Sequence, residues 1–275
     1  MPRMEDDIVD ESVVEKKSSV KKPAIKAQEI KEPNVWEIEG LPSRGKMYPD
    51  GTKLFGRPLK VVEVKKLSSM TDVNANYVVN DVIKRSITGI NVDDLLIADK
   101  LFLIFWLRAN TYRENGFLID FECQHCKEKG EFNFTLNNLD VTYLPDDWSD
   151  DQMTFSIPNG DELTIHLLTV AEEQYATKFK ISYENILKEI DDEILSVALM
   201  INSINGKEES LLDRYNYVIS DKVGPQNYAY IVSYIKQYDC GVTNVLKVKC
   251  EKCGGDSLTA ISFREEFFLP EYKIK

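Results

Sequence analysis

The sequence predicts an α+β fold, a helical body combined with β-hairpins. Three observations carry this. Apolar residues recur at helical spacing from about Asn74 to Asn110, and again from about Ala171 to Asn205. Between these stretches, and once more near the C-terminus, the apolar period drops to two, as in β-hairpins. Two C-x-x-C pairs fall inside the alternating stretches.

The elements follow in order. Residues 1–33 contain no aromatic residue and mix acids with "EKK" and "VKK" pairs. Such a segment buries too little apolar surface to offset its ordering entropy, which predicts a flexible charged arm. A folded body follows over residues 34–275. "VWEIEGLP" reads as a short strand, and "GRPLKVVEVKKLS" as another around Val61. Tyr77, Val78, Val82 and Ile83 place a helix over residues 74–86, with Gly89 as its stop signal. Asp93 is the expected cap of a second helix from Asp94 to Asn110, packed on the first. "FLIDFECQHCKEKGEFNFTL" alternates about a small turn, and "MTFSIPNGDELTIHLL" is a second hairpin with "NGD" at its tip. A helical region interrupted near Ser182 comes next. "NYAYIVSYIKQYDCG" gives one more helix ended by Gly241, and "VLKVKCEKCGGDSLTAISF" is again strand, turn, strand.

The 275 residues, 43% of them hydrophobic, suffice for a sizeable core. The net charge of -12 and a pI near 4.8 oppose a general nucleic-acid binder, which needs a basic surface to displace counterions. The first thirty residues hold no continuous apolar run of the secretory kind. The run Leu101–Leu107, bounded by Lys100 and Arg108, is far short of the roughly 20 residues that span a bilayer. The expectation is a soluble, intracellular protein.

"GLPSRGK", from Gly40 to Lys46, has the glycine and lysine spacing of a phosphate-binding loop. The chemistry fails at the next residues. Met47 stands where a hydroxyl would meet magnesium, and Pro49 disfavours the helix that must follow. The stretch reads as a loop that fixes a chain path.

Cysteine carries the strongest chemical signal. Cys123 pairs with Cys126, and Cys250 with Cys253. An apolar residue, Phe121 or Val248, lies two positions before each pair. Glycine follows, Gly130 in one case and Gly254-Gly255 in the other. Two intervening residues let both thiolates turn inward on one tight loop. Two such knuckles facing each other make a closed tetrahedral site of four cysteines, which is the structural zinc pattern. The prediction is therefore one structural Zn2+ per chain, held by Cys123, Cys126, Cys250 and Cys253. The zinc ribbon would be split between residues 118–136 and 245–263 and bracket a mostly helical insertion, 171–240. An iron–sulfur cluster also takes four cysteines. A disulfide suits an oxidising compartment, a redox C-x-x-C usually opens a helix, and two pairs that never meet is the plain alternative. Cys240 reads as a packed thiol, and His125 as an exposed residue of the first knuckle.

Catalytic signals are weak. His125 and His166 are the two histidines, and no G-x-S-x-G, H-E-x-x-H or G-x-G-x-x-G occurs. The acidic clusters at residues 145–151 and 191–193 read as solvated or helix-start acids. No catalytic or cofactor-binding residue is expected.

Ordered together, these motifs resemble a known family. "GLPSRGKMYP" is similar to the Leu-Pro-Ser-basic-Gly-x-x-Tyr-Pro element of T4-like bacteriophage baseplate hub and hub-assembly proteins. "DDLLIADKLFLIFWLRANTY" matches at Asp99, Leu103, Arg108 and Tyr112. The knuckle at Cys123 and Cys126, "INGKEES", the second C-x-x-C and "EFFLP" follow in family order. The resemblance spans roughly residues 36–272. It implies a non-enzymatic tail assembly protein, a structural subunit or an assembly factor of the central hub. Its partners would be other hub and tail proteins, without nucleic acid, membrane or small-molecule substrate. It would reside in the virion tail baseplate, or in the host cytoplasm during assembly. The alternative is a zinc-ribbon nucleic-acid-binding or transcription-regulating protein, for which Lys127, Lys129, Lys247, Lys249 and Lys252 around the knuckles would supply a local basic patch.

Overall fold

The computed structural model describes residues 34–112, 117–183, 190–263 and 265–269. The expected arm, residues 1–33, lies outside them. Strands β1 (Trp36–Glu37), β2 (Phe55–Gly56) and β3 (Ile87–Thr88) form one small antiparallel sheet in that order. Helices α1 (Val61–Ser68), α2 (Ala75–Ser86) and α3 (Ile97–Tyr112) pack with it. Gly56 is needed here, because a Cβ would come 2.4 Å from the ring of Trp106 on α3.

Two hairpins follow. Strands β4 (Phe117–Glu122) and β5 (Lys129–Phe134) form the first. After β6 (Val141–Thr142), strands β7 (Thr154–Ser156) and β8 (Glu162–Ile165) form the second. Helices α4 (Val170–Tyr183) and α5 (Asp192–Met200) lead into β9 (Ile201–Ile204) and β10 (Lys207–Glu208), which complete a sheet ordered β10-β9-β8-β7. Helices α6 (Leu211–Val218) and α7 (Gly224–Ile235) come next. Strand β11 (Gly241–Val242) returns to pair with β6. Strands β12 (Val245–Lys249) and β13 (Asp256–Ala260) form a last hairpin before the short α8 (Glu265–Phe268). The α+β class expected from the sequence is the class observed.

Several local expectations are corrected. The segment around Val61 is a helix, not a strand. Glu63 caps it by accepting from the Lys60 N–H at 2.7 Å, and Val64 and Leu67 turn inward while Val61 and Val62 stay exposed. Burial at helical spacing overrides the β preference of its valines. Tyr77 points outward, and the buried face of α2 runs through Val79, Val82 and Ile83. Asp93 does not cap α3. It lies in a 3-10 turn, Val92–Asp94, capped by Asn91, and α3 starts at Ile97. Residues 201–204 are strand β9, where a helix was expected. The last long helix ends at Ile235 and a 3-10 turn, so Gly241 belongs to β11 and is no helix stop.

Two apolar cores result. The first surrounds α3, with Leu103, Phe105 and Leu107 almost wholly buried. The second lies between the four-stranded sheet and α4–α7, around Leu163, Leu195, Ile201 and Ile231. Met47, Trp148 and Tyr238 pack against both. Lys100 of α3 also pairs with Glu173 of α4 at 2.6 Å.

Helix α3 has a polar clamp near each end. Asp99, fully buried, accepts from the Ser43 N–H at 2.9 Å, the Ser43 hydroxyl at 2.5 Å and the Tyr48 hydroxyl at 2.6 Å. Burial pushes its carboxyl upward against the stabilising hydrogen bonds from Ser43 and Tyr48. The loop 41–49 is therefore docked on a helix, and Ser43 and Tyr48 make that contact. Near the other end, the buried Arg108 donates to the Phe267 carbonyl and stacks 4.2 Å from the centre of the Tyr112 ring. Tyr112 donates to the Phe268 carbonyl at 2.6 Å.

Candidate metal centre

The β4–β5 and β12–β13 hairpins each end in a knuckle with the same backbone path. In the first, the Cys123 N–H donates to the Glu128 carbonyl at 2.8 Å, and the Cys123 carbonyl accepts from Lys127 at 3.0 Å. In the second, Cys250 bonds Gly255 and accepts from Gly254, both at 2.9 Å. The residue after the second cysteine of each turn is left-handed, with φ 58° at Lys127 and 71° at Gly254. This corrects the sequence reading of the first knuckle. Gly130 is not its turn glycine. It lies within β5 opposite Phe121, and Lys127 holds the left-handed position instead. A lysine there gives no sequence signal, since left-handed geometry normally calls for glycine or asparagine.

The structure brings together the four cysteines expected to form one site. The sulfurs of Cys123 and Cys253 are 3.6 Å apart, those of Cys126 and Cys250 3.7 Å, and all four lie within 4.8 Å of one another. These separations exceed a disulfide bond of about 2.05 Å. They match a tetrahedron with metal–sulfur bonds of about 2.3 Å, whose edges are about 3.8 Å. Cys123 and Cys250 are buried, Cys126 is half-buried and Cys253 is exposed.

Electrostatics favour a cation among the sulfurs. The backbone N–H groups of Cys126 and His125 hold the Cys123 thiol down at about 5, despite desolvation. The Glu128 N–H favours a thiolate at Cys126 as well, yet burial and the sulfurs of Cys253, Cys123 and Cys250 push it up to about 12. Like charges this close cannot all ionise unaided. A divalent cation removes that conflict, and the donor set therefore fits a thiophilic metal.

Contacts between the knuckles set the spacing. The Gln124 N–H donates to the buried Ser257 hydroxyl at 2.9 Å, and His125 Nε2 lies 3.0 Å from the Asp256 carbonyl. Gly255 makes room for this: a Cβ there would come 2.6 Å from the His125 ring. His125 is exposed and serves the turn, outside the sulfur group. Sequence reading missed Ser257, which no spacing rule marks. Beneath the knuckles, Phe134, Leu246 and Val248 join the first core.

The remaining candidates make contacts within the fold. Cys240 is buried, and burial pushes its thiol up to about 12, with Asp99 and Asp239 adding to the effect. Asp191 caps α5, accepting from the Glu193 and Ile194 N–H groups. Asp146 pairs with Arg44 at 2.9 Å. His166 bonds Glu172 at 2.5 Å, and Glu172 caps α4 through Thr169. Among the described residues, no helix is long and apolar enough to cross a membrane.

Comparison with known proteins gives one finding. The model of a family described as T4 bacteriophage base plate protein matches residues 36–269. No curated protein and no solved structure matches.

Proposed function

Since the chain belongs to the T4 bacteriophage base plate protein family, we propose that it is a non-enzymatic tail assembly protein, a structural subunit or assembly factor of the base plate's central hub. The family match carries this reading. It takes in the loop docked on Asp99, both knuckles and the Phe267 clamp, so it rests on the whole body and not on one motif. In this reading residues 34–275 form one hub-like body. Its ribbon, 118–136 and 245–263, is split by the helical insertion 171–240. Its partners are other hub and tail proteins, met in the host cytoplasm and in the virion tail.

Cys123, Cys126, Cys250 and Cys253 would hold one structural Zn2+. Four thiolates complete a tetrahedral shell and leave no position for substrate, which supports a role outside catalysis. The metal would supply a cross-link between the middle of the chain and its C-terminal part. The nucleic-acid reading is weaker. Lys247 pairs with Asp256 at 2.7 Å and Lys252 with Glu128 at 2.5 Å, so the basic patch is partly neutralised within the ribbon.

The test is infection with a phage lacking the protein. Defective base plates are expected, together with its recovery from wild-type tails or tail precursors. Normal base plates assembled in its absence would overturn the proposal.

A further inference from the structure

The two knuckles correspond residue by residue: Cys123 to Cys250, Lys127 to Gly254, Gly130 to Ser257 and Glu131 to Leu258. Hydrogen-bonded and non-hydrogen-bonded pairs alternate along an antiparallel hairpin. Cys123–Glu128 and Cys250–Gly255 are bonded across their hairpins. With the observed register, Lys129, Glu131 and Asn133 of β5 therefore aim their N–H and C=O groups away from β4. Asp256 and Leu258 of β13 likewise aim theirs away from β12.

The two edges differ in what they meet. On β13 the edge is occupied by the first knuckle. His125 reaches the Asp256 carbonyl, and the Gln124 side-chain amide donates to the Leu258 carbonyl at 3.4 Å. On β5 the second knuckle offers Glu251 and Lys252 at the matching positions, and Lys252 turns to Glu128 instead. Gly130, at the place of Ser257, offers no hydroxyl to Glu251. A cleft of about 390 Å³ remains beside β5, with Phe121, Phe132 and Val248 in its wall and Lys129, Lys249 and Glu251 among its charged lining. Among the described residues, β5 pairs with β4 alone.

We propose that this open edge of β5 docks an extended segment of another base plate subunit, added to the β4–β5 hairpin as a third strand. Unpaired main-chain groups at alternate residues supply the affinity, as in strand addition generally. The apolar wall calls for a partner strand with an apolar side chain on one face, and the lysine and glutamate lining for polar residues beside it. The first knuckle already fills the equivalent place on β13 with groups of the chain's own. This inference rests on the assembly reading above.

Hydrogen exchange on the zinc-loaded, full-length protein tests it, free and within base plates or base plate precursors. The amides of Lys129, Glu131 and Asn133 are expected to exchange more slowly in the assembly, while those of Leu118, Asp120 and Glu122, on the opposite edge of the hairpin, do not. Glu131→Pro removes one outward N–H at an edge position where proline is tolerated. It should keep wild-type zinc content and melting, yet enter base plates about tenfold less. Asp120→Pro, on the other edge, should enter normally. Unchanged exchange in the assembly would overturn the proposal. So would protection already present in the free protein, whether independent of concentration, from its own chain, or rising with it, from a second copy. Should wild-type protein never enter base plates or their precursors, the assembly reading itself falls, an outcome distinct from normal entry of Glu131→Pro.

Discussion

The ribbon and the β7–β10 sheet are both made of antiparallel hairpins, yet they are held in different ways. The sheet has four strands, with α4–α7 packed on its apolar face. Leu163 and Ile201 at its centre are fully buried. The ribbon is a pair of two-stranded hairpins, and an isolated hairpin is marginal in water. Its tip has cysteine sulfurs where the sheet has leucine and isoleucine. One region is secured by burial. The other, in the reading proposed above, is secured at its tip by a metal shared between its halves.

Disrupting the proposed metal site should separate the two regions most sharply. Cys123→Ser or Cys253→Ser should lower zinc from about one per chain, and metal binding of roughly 10–16 kcal/mol in small zinc peptides sets the scale. Ribbon amides should lose exchange protection while those of Leu163 and Ile201 keep theirs. Equal loss in both regions would break the comparison, and full zinc in either variant would show that the pairs do not share a metal.

The converse test is Leu163→Ala. A cavity in the second core should cost about 2–5 kcal/mol in urea unfolding, with zinc content unchanged.

A smaller effect is expected at the tip of the β7–β8 hairpin. Asp161 accepts from Asn205 at 2.9 Å, Tyr217 at 2.9 Å and Lys222 at 3.1 Å, which fastens the hairpin to the region of α6 and α7. Asn205, then Lys222 and Tyr217, hold its carboxyl down at about 2. The unfolded chain binds this proton more readily. The stabilisation is therefore present above about pH 4 and is lost as pH falls through about 2. Asp161→Ala should cost about 2–3 kcal/mol at neutral pH and flatten that acid limb. An unaltered acid limb would remove Asp161 from this role.

The smallest change expected is a gain. Lys127→Gly relieves a left-handed lysine at the cost of a looser unfolded chain, for a net stabilisation of about 0.5 kcal/mol. Slower zinc loss to a chelator would register it, and faster loss would show that the lysine contributes more than its backbone costs.

The sequence revealed what is local and periodic. The β4–β5, β7–β8 and β12–β13 hairpins were legible from alternation, and the cysteine set from its spacing. Helix α1 was not, because Val61 and Val62 favour strands in isolation and only burial of Val64 and Leu67 decides otherwise. The left-handed Lys127 and the bond from Gln124 to Ser257 were hidden for another reason. Residue type reports neither: lysine does not mark a left-handed turn position, and the Gln124–Ser257 bond depends on how two distant knuckles meet. The docking of loop 41–49 on Asp99 lay between these cases. Its letters were visible as an ordered resemblance, but their purpose was not.

The clamp at Arg108 has a consequence in time. Its hydrogen bond to the Phe267 carbonyl spans 159 residues of chain. At ~5–20 residues per second, a ribosome needs about 8–32 s to supply that partner after Arg108 is made. Throughout this interval Arg108 lacks the Phe267 carbonyl. The first core is therefore complete only when α8 has arrived, so a chain ended before Phe267 would lack the last piece of that interior.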